Sequence, residues 1–232
     1  MPHALIVAHG QPSDPAPAEA ALASYAAEVD AYCDGVSVQS VTLAAPGMLE
    51  ARLDELPDDT VIYPLFMANG WFVTSALPKR LDDRNIQILD PLGVDPKLPA
   101  LAAGALQDTL LGKGWDADKT DLVLAAHGSG RSRNPSAVAI EFSMELAACV
   151  TFQSIRVGFV EEAPSIAEAA TGAGDQSLCL PFFACTGGHV LEDVPQKLER
   201  ARFKGRLMPV VGELSPIKRH IAGTLTRAFA LG

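Results

Sequence analysis

The sequence predicts an α/β fold built from two homologous three-layer α/β/α halves, each with a parallel sheet, and three observations lead there. Short, continuous apolar runs alternate with longer stretches whose apolar residues recur at helical spacing, the pattern of strands buried on both faces and linked by covering helices. The chain also repeats itself: ALIVAHGQPSDP (4–15) returns as LVLAAHGSGRSRNP (122–135), and YPLFMANGWFVTSALPKRL (63–81) returns as LPFFACTGGHVLEDVPQKL (180–198). Landmarks such as His9 and His127, Ala45-Pro46 and Ala163-Pro164, and Pro78 and Pro195 keep their order at a spacing of 117 or 118 residues, which chance similarity does not maintain. Finally, 232 residues that are 48% hydrophobic and 20% charged can bury the core of two domains.

In chain order, ALIVAH (4–9) reads as the first strand and PAEAALASYAAEVDAYC (17–33) as a helix. VSVQSVTL (36–43) is the second strand, PGMLEARLDEL (46–56) the second helix, and TVIYPLF (60–66) and IQIL (86–89) are the third and fourth strands. The scheme returns with strands at DLVLAAH (121–127), IRVGFV (155–160), SLCLPFF (177–183) and RLMPVV (206–211), and with helices near 135–149, 164–171, 190–203 and 215–230. The Gly-containing, charged segment LGKGWDADKT (111–120) suits a linker, so the predicted domains are 1–115 and 116–232.

A net charge of −10 and a pI near 4.9 argue against nucleic acid and against an anionic membrane surface as partners. All of that excess falls within the first 120 residues, and the remainder is balanced. Cys33, Cys149, Cys179 and Cys185 form no CxxC pair and read as free thiols of a reducing compartment. MPHALIVAHGQ has no basic n-region and no long apolar run, so neither a signal peptide nor a membrane span is expected, and the predicted location is cytoplasmic.

Parallel α/β sheets bind ligands beyond the carboxyl ends of their strands. His9 and His127 stand there after the first strand of each half, each followed by a glycine that turns the backbone away. A turn histidine bonded to backbone is the plain alternative, and His189 shifts the balance: it follows Gly187-Gly188 after the third strand of the second half, where two imidazoles can converge on one ion. Imidazoles suit Co, Ni, Fe and Zn, and two ligands alone leave an open site fit for a transient metal. Glu161 and Glu162 end the second strand; paired acids there ordinarily line a solvated loop, but beside metal-binding histidines a carboxylate can accept protons. In the first half Phe72 replaces His189, and Leu43 and Ala44 replace Glu161 and Glu162 at a uniform spacing of 118. His9 alone survives there as a secondary candidate. Trp71 and Phe72 offer apolar surfaces for a flat ligand, or pack between the halves. His3 and His220 read as structural or surface residues.

With these residues in view, the sequence resembles the class II chelatases of the CbiX type, sirohydrochlorin chelatases that insert a divalent metal into a tetrapyrrole for cobalamin or siroheme synthesis. The resemblance covers essentially the whole chain. It rests on the AHGS turn (126–129), the F-x-E ending of the second strand (159–161), Pro164-Ser165, and PFFACTGGHVLEDVP (181–195), which follows P-x-F-x-x-x-G-x-H-x-x-x-D-x-P. It implies that His127 and His189 bind the incoming metal and that Glu161 takes up the macrocycle's protons, with Glu162 the alternative because the chain is one residue short before Pro164. Two-domain members are expected to work in the first half, so an intact set in the second implies that catalysis has moved there. Ser129, Arg131 and Arg133 of the same turn face the substrate in this reading, the arginines pairing with its carboxylates or else lying in a solvated loop. The metal, Co2+, Fe2+ or Ni2+, is substrate, with no permanently bound cofactor. The expected partner is a tetrapyrrole, and the chain is expected to be a monomer, with a dimer as the alternative. A metal or tetrapyrrole carrier without turnover is the competing function; a histidine phosphotransferase is disfavoured, since neither RHG nor a Gly-rich phosphate loop is present.

Overall fold

Two separate four-stranded sheets organise the chain in a computed structural model that describes residues 1–81, 84, 86–129 and 134–230. In the first repeat β1 (His3–Ala8), β2 (Ser37–Thr42), β3 (Val61–Pro64) and β4 (Gln87–Ile88) lie in the order β2-β1-β3-β4. In the second, β5 (Asp121–Ala126), β6 (Ser154–Phe159), β7 (Ser177–Phe182) and β8 (Arg206–Leu207) lie in the order β6-β5-β7-β8. All pairings are parallel. Every residue of β5 and of β7 is buried, so both faces of the sheet are covered, as the unbroken apolar runs require.

The helices are α1 (Pro15–Asp30), α2 (Met48–Asp54), α3 (Leu77–Leu81), α4 (Leu98–Lys113), α5 (Asn134–Cys149), α6 (Ile166–Ala170), α7 (Val194–Arg200) and α8 (Ser215–Ala230). The sequence reading assigns no element to α3 or α4. The fourth strands are shorter than expected for a local reason. In β4 Leu89 N–H donates to Ile62 O at 2.9 Å and the next donor of the ladder, two residues on, falls at Pro91, which has no N–H; β8 closes on Met208 N–H donating to Cys179 O at 2.8 Å.

The register corrects one correspondence. Ala8 lies opposite Thr42 in the first sheet and Ala126 opposite Phe159 in the second, so the first strands are 118 residues apart but the second strands 117. Ala44 and Ala45, and not Leu43 and Ala44, therefore occupy the places of Glu161 and Glu162. The first repeat still lacks a carboxylate there.

The compact units do not follow the linear repeats. One comprises Met1–Asp95 and the chain from Lys218 onward; the other is Pro96–Ile217. The last helix of each repeat thus serves the other repeat's unit. In unit 1, α8 is tied down by Lys218 Nζ donating to Glu28 at 2.6 Å and by His220 Nε2 bonded to Asp95 at 2.6 Å. In unit 2, α4 packs on α5. The core of unit 1 gathers Leu5, Val41, Leu53, Ile62 and Leu77, and that of unit 2 Val123, Ile166, Cys179 and Val194. Each such aliphatic side chain, removed wholly from water, contributes about 1.5–3 kcal/mol before conformational entropy is counted. Among the described residues, no helix is long and apolar enough to cross a membrane.

Candidate metal and active site

Strand order reverses at β5, which has β6 on one side and β7 on the other, so the chain diverges at the carboxyl end of β5 and leaves a crevice there. Three side chains converge on that place: His127 directly after β5, Glu161 two residues after β6, and His189 at the head of a π-helical turn, His189–Asp193, that precedes α7. The backbone joins the first two. His127 O accepts from Val160 N–H at 3.2 Å and from Glu161 N–H at 3.1 Å, and Lys197 Nζ, reaching from α7, donates to Val160 O at 3.2 Å. Gly128, at φ +69°, makes the turn possible: a Cβ here would lie 2.6 Å from a Glu162 carboxylate oxygen and 3.0 Å from Phe159 Cβ. The loop after β7 is held by Gly212 N–H donating to Phe183 O at 3.0 Å and by Thr186 N–H donating to Glu213 Oε1 at 2.7 Å.

The potential ligand atoms of His127, Glu161 and His189 all lie within 4.8 Å of one another. The imidazoles meet edge to face, 4.6 Å between centroids and 90° between planes, and Glu161 Oε2 is 3.8 Å from His127 Nδ1. Modest side-chain rotation brings such groups to the separation of about 3.3 Å that two ligands share on an ion with bonds of about 2.0 Å. Each imidazole has its tautomer set by its partner. His127 Nδ1 donates to Gly128 O at 2.9 Å, and His189 Nδ1 donates to Asp193 Oδ2 at 2.6 Å, which leaves Nε2 as the lone-pair nitrogen on both rings. Two imidazole nitrogens and one carboxylate, all half-exposed, make a three-ligand set with room for an incoming group, suited to first-row transition ions.

The remaining sequence candidates divide. Glu162 turns away from the histidines: its Oε1 accepts Ser129 N–H at 2.7 Å, so this carboxylate closes the turn after His127 and Ser129 is engaged through its backbone. Arg131 and Arg133 lie outside the described residues. His9 and Trp71 belong to unit 1. There His9 Nδ1 donates to Gly10 O at 2.8 Å, as His127 does to its own glycine, and the ring meets Phe72 at 4.4 Å and 82°, nearly the His127–His189 geometry with carbon in place of nitrogen. Trp71, 63% exposed, stands edge-on to Phe72 at 5.2 Å, and Phe66 stacks on Phe72 at 6.1 Å. Among the described residues, this end of the first sheet is an aromatic group and not a ligand set.

Sequence reasoning missed Asp193 as the residue that orients His189. Its signal was the four-residue spacing in HVLED, which brings the two onto one face of a helical turn. Both repeats carry the π turn at the same place, Phe72–Ala76 and His189–Asp193, with Leu77 N–H closing on Phe72 O and Val194 N–H on His189 O. A proline follows each turn one residue later, at 78 and 195, in the first turn of α3 or α7 where a missing N–H is tolerated. The cysteines add no ligand. Burial pushes the Cys179 thiol up to about 12, and burial together with the nearby Glu213 charge pushes Cys185 up to about 11, so both stay protonated.

The CbiX family model matches this chain over residues 3–109 and 121–224, one match per repeat. A solved CbiX, described as the terminal enzyme for biosynthesis of siroheme in denitrifying bacteria, is 43% identical with a TM-score of 0.86, covering 97% of this chain and 99% of that one. SirB from Bacillus subtilis, solved with Fe3+, shares the fold at a TM-score of 0.73 and 15% identity, covering 100% of this chain and 98% of that one. A probable sirohydrochlorin cobaltochelatase of Halobacterium salinarum is 22% identical over 165 residues, 60% of this chain and 56% of that relative, so the match spans little more than half of its length.

Proposed function

The chain belongs to the CbiX family, and from that premise we propose that it is a chelatase, inserting a divalent metal ion into sirohydrochlorin or a closely related tetrapyrrole on the way to cobalamin or siroheme. The observation that carries this reading is the convergence of His127, Glu161 and His189 within 4.8 Å at the switch point of one sheet. The 43% identity to a CbiX of siroheme biosynthesis and the likeness to a probable cobaltochelatase support it.

The chemistry follows from the groups present. A free macrocycle carries inner N–H protons, and an aqueous ion carries bound water. The Nε2 atoms of His127 and His189 replace part of that water and hold the ion at a fixed point, so that entry into the ring starts from an oriented complex. Insertion releases two protons; Glu161 accepts them in turn and passes them to solvent, which its half-exposed carboxylate permits. Asp193 and Gly128 O keep both histidines in the metal-binding tautomer. Arg131 supplies positive charge for the substrate carboxylates. The metal, Co2+ or Fe2+ and by donor type also Ni2+, is a substrate; no bound cofactor takes part, and the enzyme acts as a monomer in the cytoplasm.

The test is an absorbance assay with purified protein, sirohydrochlorin, and Co2+, Fe2+ and Ni2+ in parallel. A rate well above the uncatalysed reaction is expected, with His189→Ala abolishing turnover and His9→Ala leaving most of it. A tight metal complex without any gain in rate assigns a carrier instead, and the reverse ranking of the two variants overturns the placement of the site in the second repeat.

A further inference from the structure

Glu213 has no acidic counterpart in the first repeat, although the loop it touches does have one. After β7 residues 183–188 lead to His189, and after β3 residues 66–71 lead to Phe72 in the same way. Both loops are fastened alike at one point. Gly212 N–H donates to Phe183 O at 3.0 Å and Gly93 N–H to Phe66 O at 2.9 Å, and a Cβ on either glycine would sit 1.9 Å from a carbonyl oxygen, that of Ala184 in one repeat and of Met67 in the other. This bond serves the fold of both repeats. A second fastening exists only beside the metal ligands: Glu213 Oε1 accepts Thr186 N–H at 2.7 Å, a short bond to a charged acceptor. In the first repeat the residue after Gly93 is Val94, 41% exposed, and among the described residues no carboxylate accepts Asn69 N–H. Glu213 shares this distribution with Glu161, Glu162 and Asp193, whose places in the first repeat are taken by Ala44, Ala45 and Ala76.

Thr186 lies three residues before His189, and the two residues between are Gly187 and Gly188, the residue type with the freest backbone. In the first repeat the residue in front of Phe72 is Trp71, whose indole packs on Phe72 at 5.2 Å; a glycine in front of His189 has no side chain to do the same. Asp193 sets how the His189 ring is turned, through Nδ1 at 2.6 Å, but it rides on the same π turn and moves with it. The placement of that turn relative to β5 and β6, which lead to His127 and Glu161, has to come from outside it. Resting on the chelatase reading for the use to which the site is put, we propose that Glu213 is a positioning residue for the metal site: by holding Thr186 N–H it fixes the arm that delivers His189 Nε2 to the ion shared with His127 and Glu161. It acts through His189 and is not itself one of the converging ligands. A ligand on a loose arm stands within bonding reach for only a fraction of the time, and metal affinity falls by that fraction.

The experiment measures Co2+ binding by visible absorption, with turnover alongside, in the full-length protein. It compares wild type, Glu213→Val, which installs the first repeat's residue, and Glu213→Gln, which keeps an oxygen to accept Thr186 N–H. Glu213→Val is expected to melt within about 4 °C of wild type, since the first repeat keeps its loop with a valine there, and to weaken Co2+ binding about 10- to 100-fold. Glu213→Gln is expected to stay within about threefold of wild type. In a His189→Ala background the valine substitution is expected to change Co2+ affinity by less than about twofold, the mark of a residue that acts through His189. Wild-type affinity in Glu213→Val overturns the proposal, as do equal losses in the valine and glutamine variants, or a loss of the same size with and without His189. Should the valine variant not fold, Glu213→Ala decides in its place; where His189→Ala leaves too little binding to compare, the contrast of valine with glutamine decides. These binding data need no tetrapyrrole. Wild type that binds Co2+ but inserts no metal overturns the chelatase reading alone, whereas normal insertion together with wild-type Co2+ affinity in Glu213→Val overturns only the role of Glu213.

Discussion

Glu161 and Glu162 are neighbours with the same chemistry, and their side chains do different things. Glu161 lies with the histidines, whereas Glu162 bends back to accept Ser129 N–H at 2.7 Å and stabilises the turn on which His127 rides. Glu161→Gln is therefore expected to lower turnover by about 10²–10⁴-fold while barely changing the urea midpoint. Glu162→Ala is expected to do the reverse first, costing about 1–3 kcal/mol in urea denaturation by leaving a backbone N–H without its carboxylate. The sequence could name the pair but not divide its roles, because direction is decided by the fold of the turn after β5, whose Ser129 N–H captures Glu162. His127 and His189 were legible because each stands beside glycine in the segment that follows a strand, His127 directly after β5 and His189 beyond the loop after β7, on the side that topology aims at the crevice. Asp193 was not, since its role depends on the π turn that places it 2.6 Å from His189 Nδ1.

Among the elements, the first and third strands of each half were readable from their unbroken apolar runs. The helix α4 was not, although Leu98, Ala102, Leu106 and Leu110 form a buried stripe at four-residue spacing; Gly104, Gly112 and the alanines between dilute its contrast. The strand that ends at His127 begins at Asp121, a buried carboxylate. Burial raises its pKa, but bonds from Ser154 Oγ at 2.5 Å and Gly174 N–H at 3.0 Å, helped by Arg156 at 3.7 Å, outweigh burial and hold it below the usual carboxylate value. A carboxylate depressed in the folded state contributes stability that is complete above the unfolded value of about 3.9 and disappears as pH falls through the folded one. Asp121→Asn is thus expected to cost about 1–3 kcal/mol near pH 7, and the gap from wild type to close below about pH 4, as read from urea melts at both pH values. A gap that persists unchanged in acid would show that packing, and not charge, is what Asp121 supplies.

At the scale of the whole molecule, the sequence repeats and the compact units are cut at different places. The predicted boundary at 115/116 marks where the duplication restarts, while the units part at 95/96 and 217/218. The exchange moves Lys218, Arg219 and Arg227 from the second linear half into unit 1, so the charge asymmetry of the linear halves overstates that of the folded units. No local pattern signals the exchange, because a helix presents the same apolar stripe whichever sheet it covers. A fragment spanning 96–217 is expected to give a cooperative thermal transition and to bind Co2+, whereas 116–232, which lacks α4, is expected to give neither; circular dichroism and cobalt absorption check this, and equal behaviour of the two fragments would refute it. The same exchange also orders events during synthesis. Unit 2 is continuous in sequence and has all its residues once Ile217 is made, but unit 1, started first, waits for α8. Domains fold as their residues emerge, so the sheet that holds the histidines matures before the half that precedes it, which is completed only once the residues of α8 have been added.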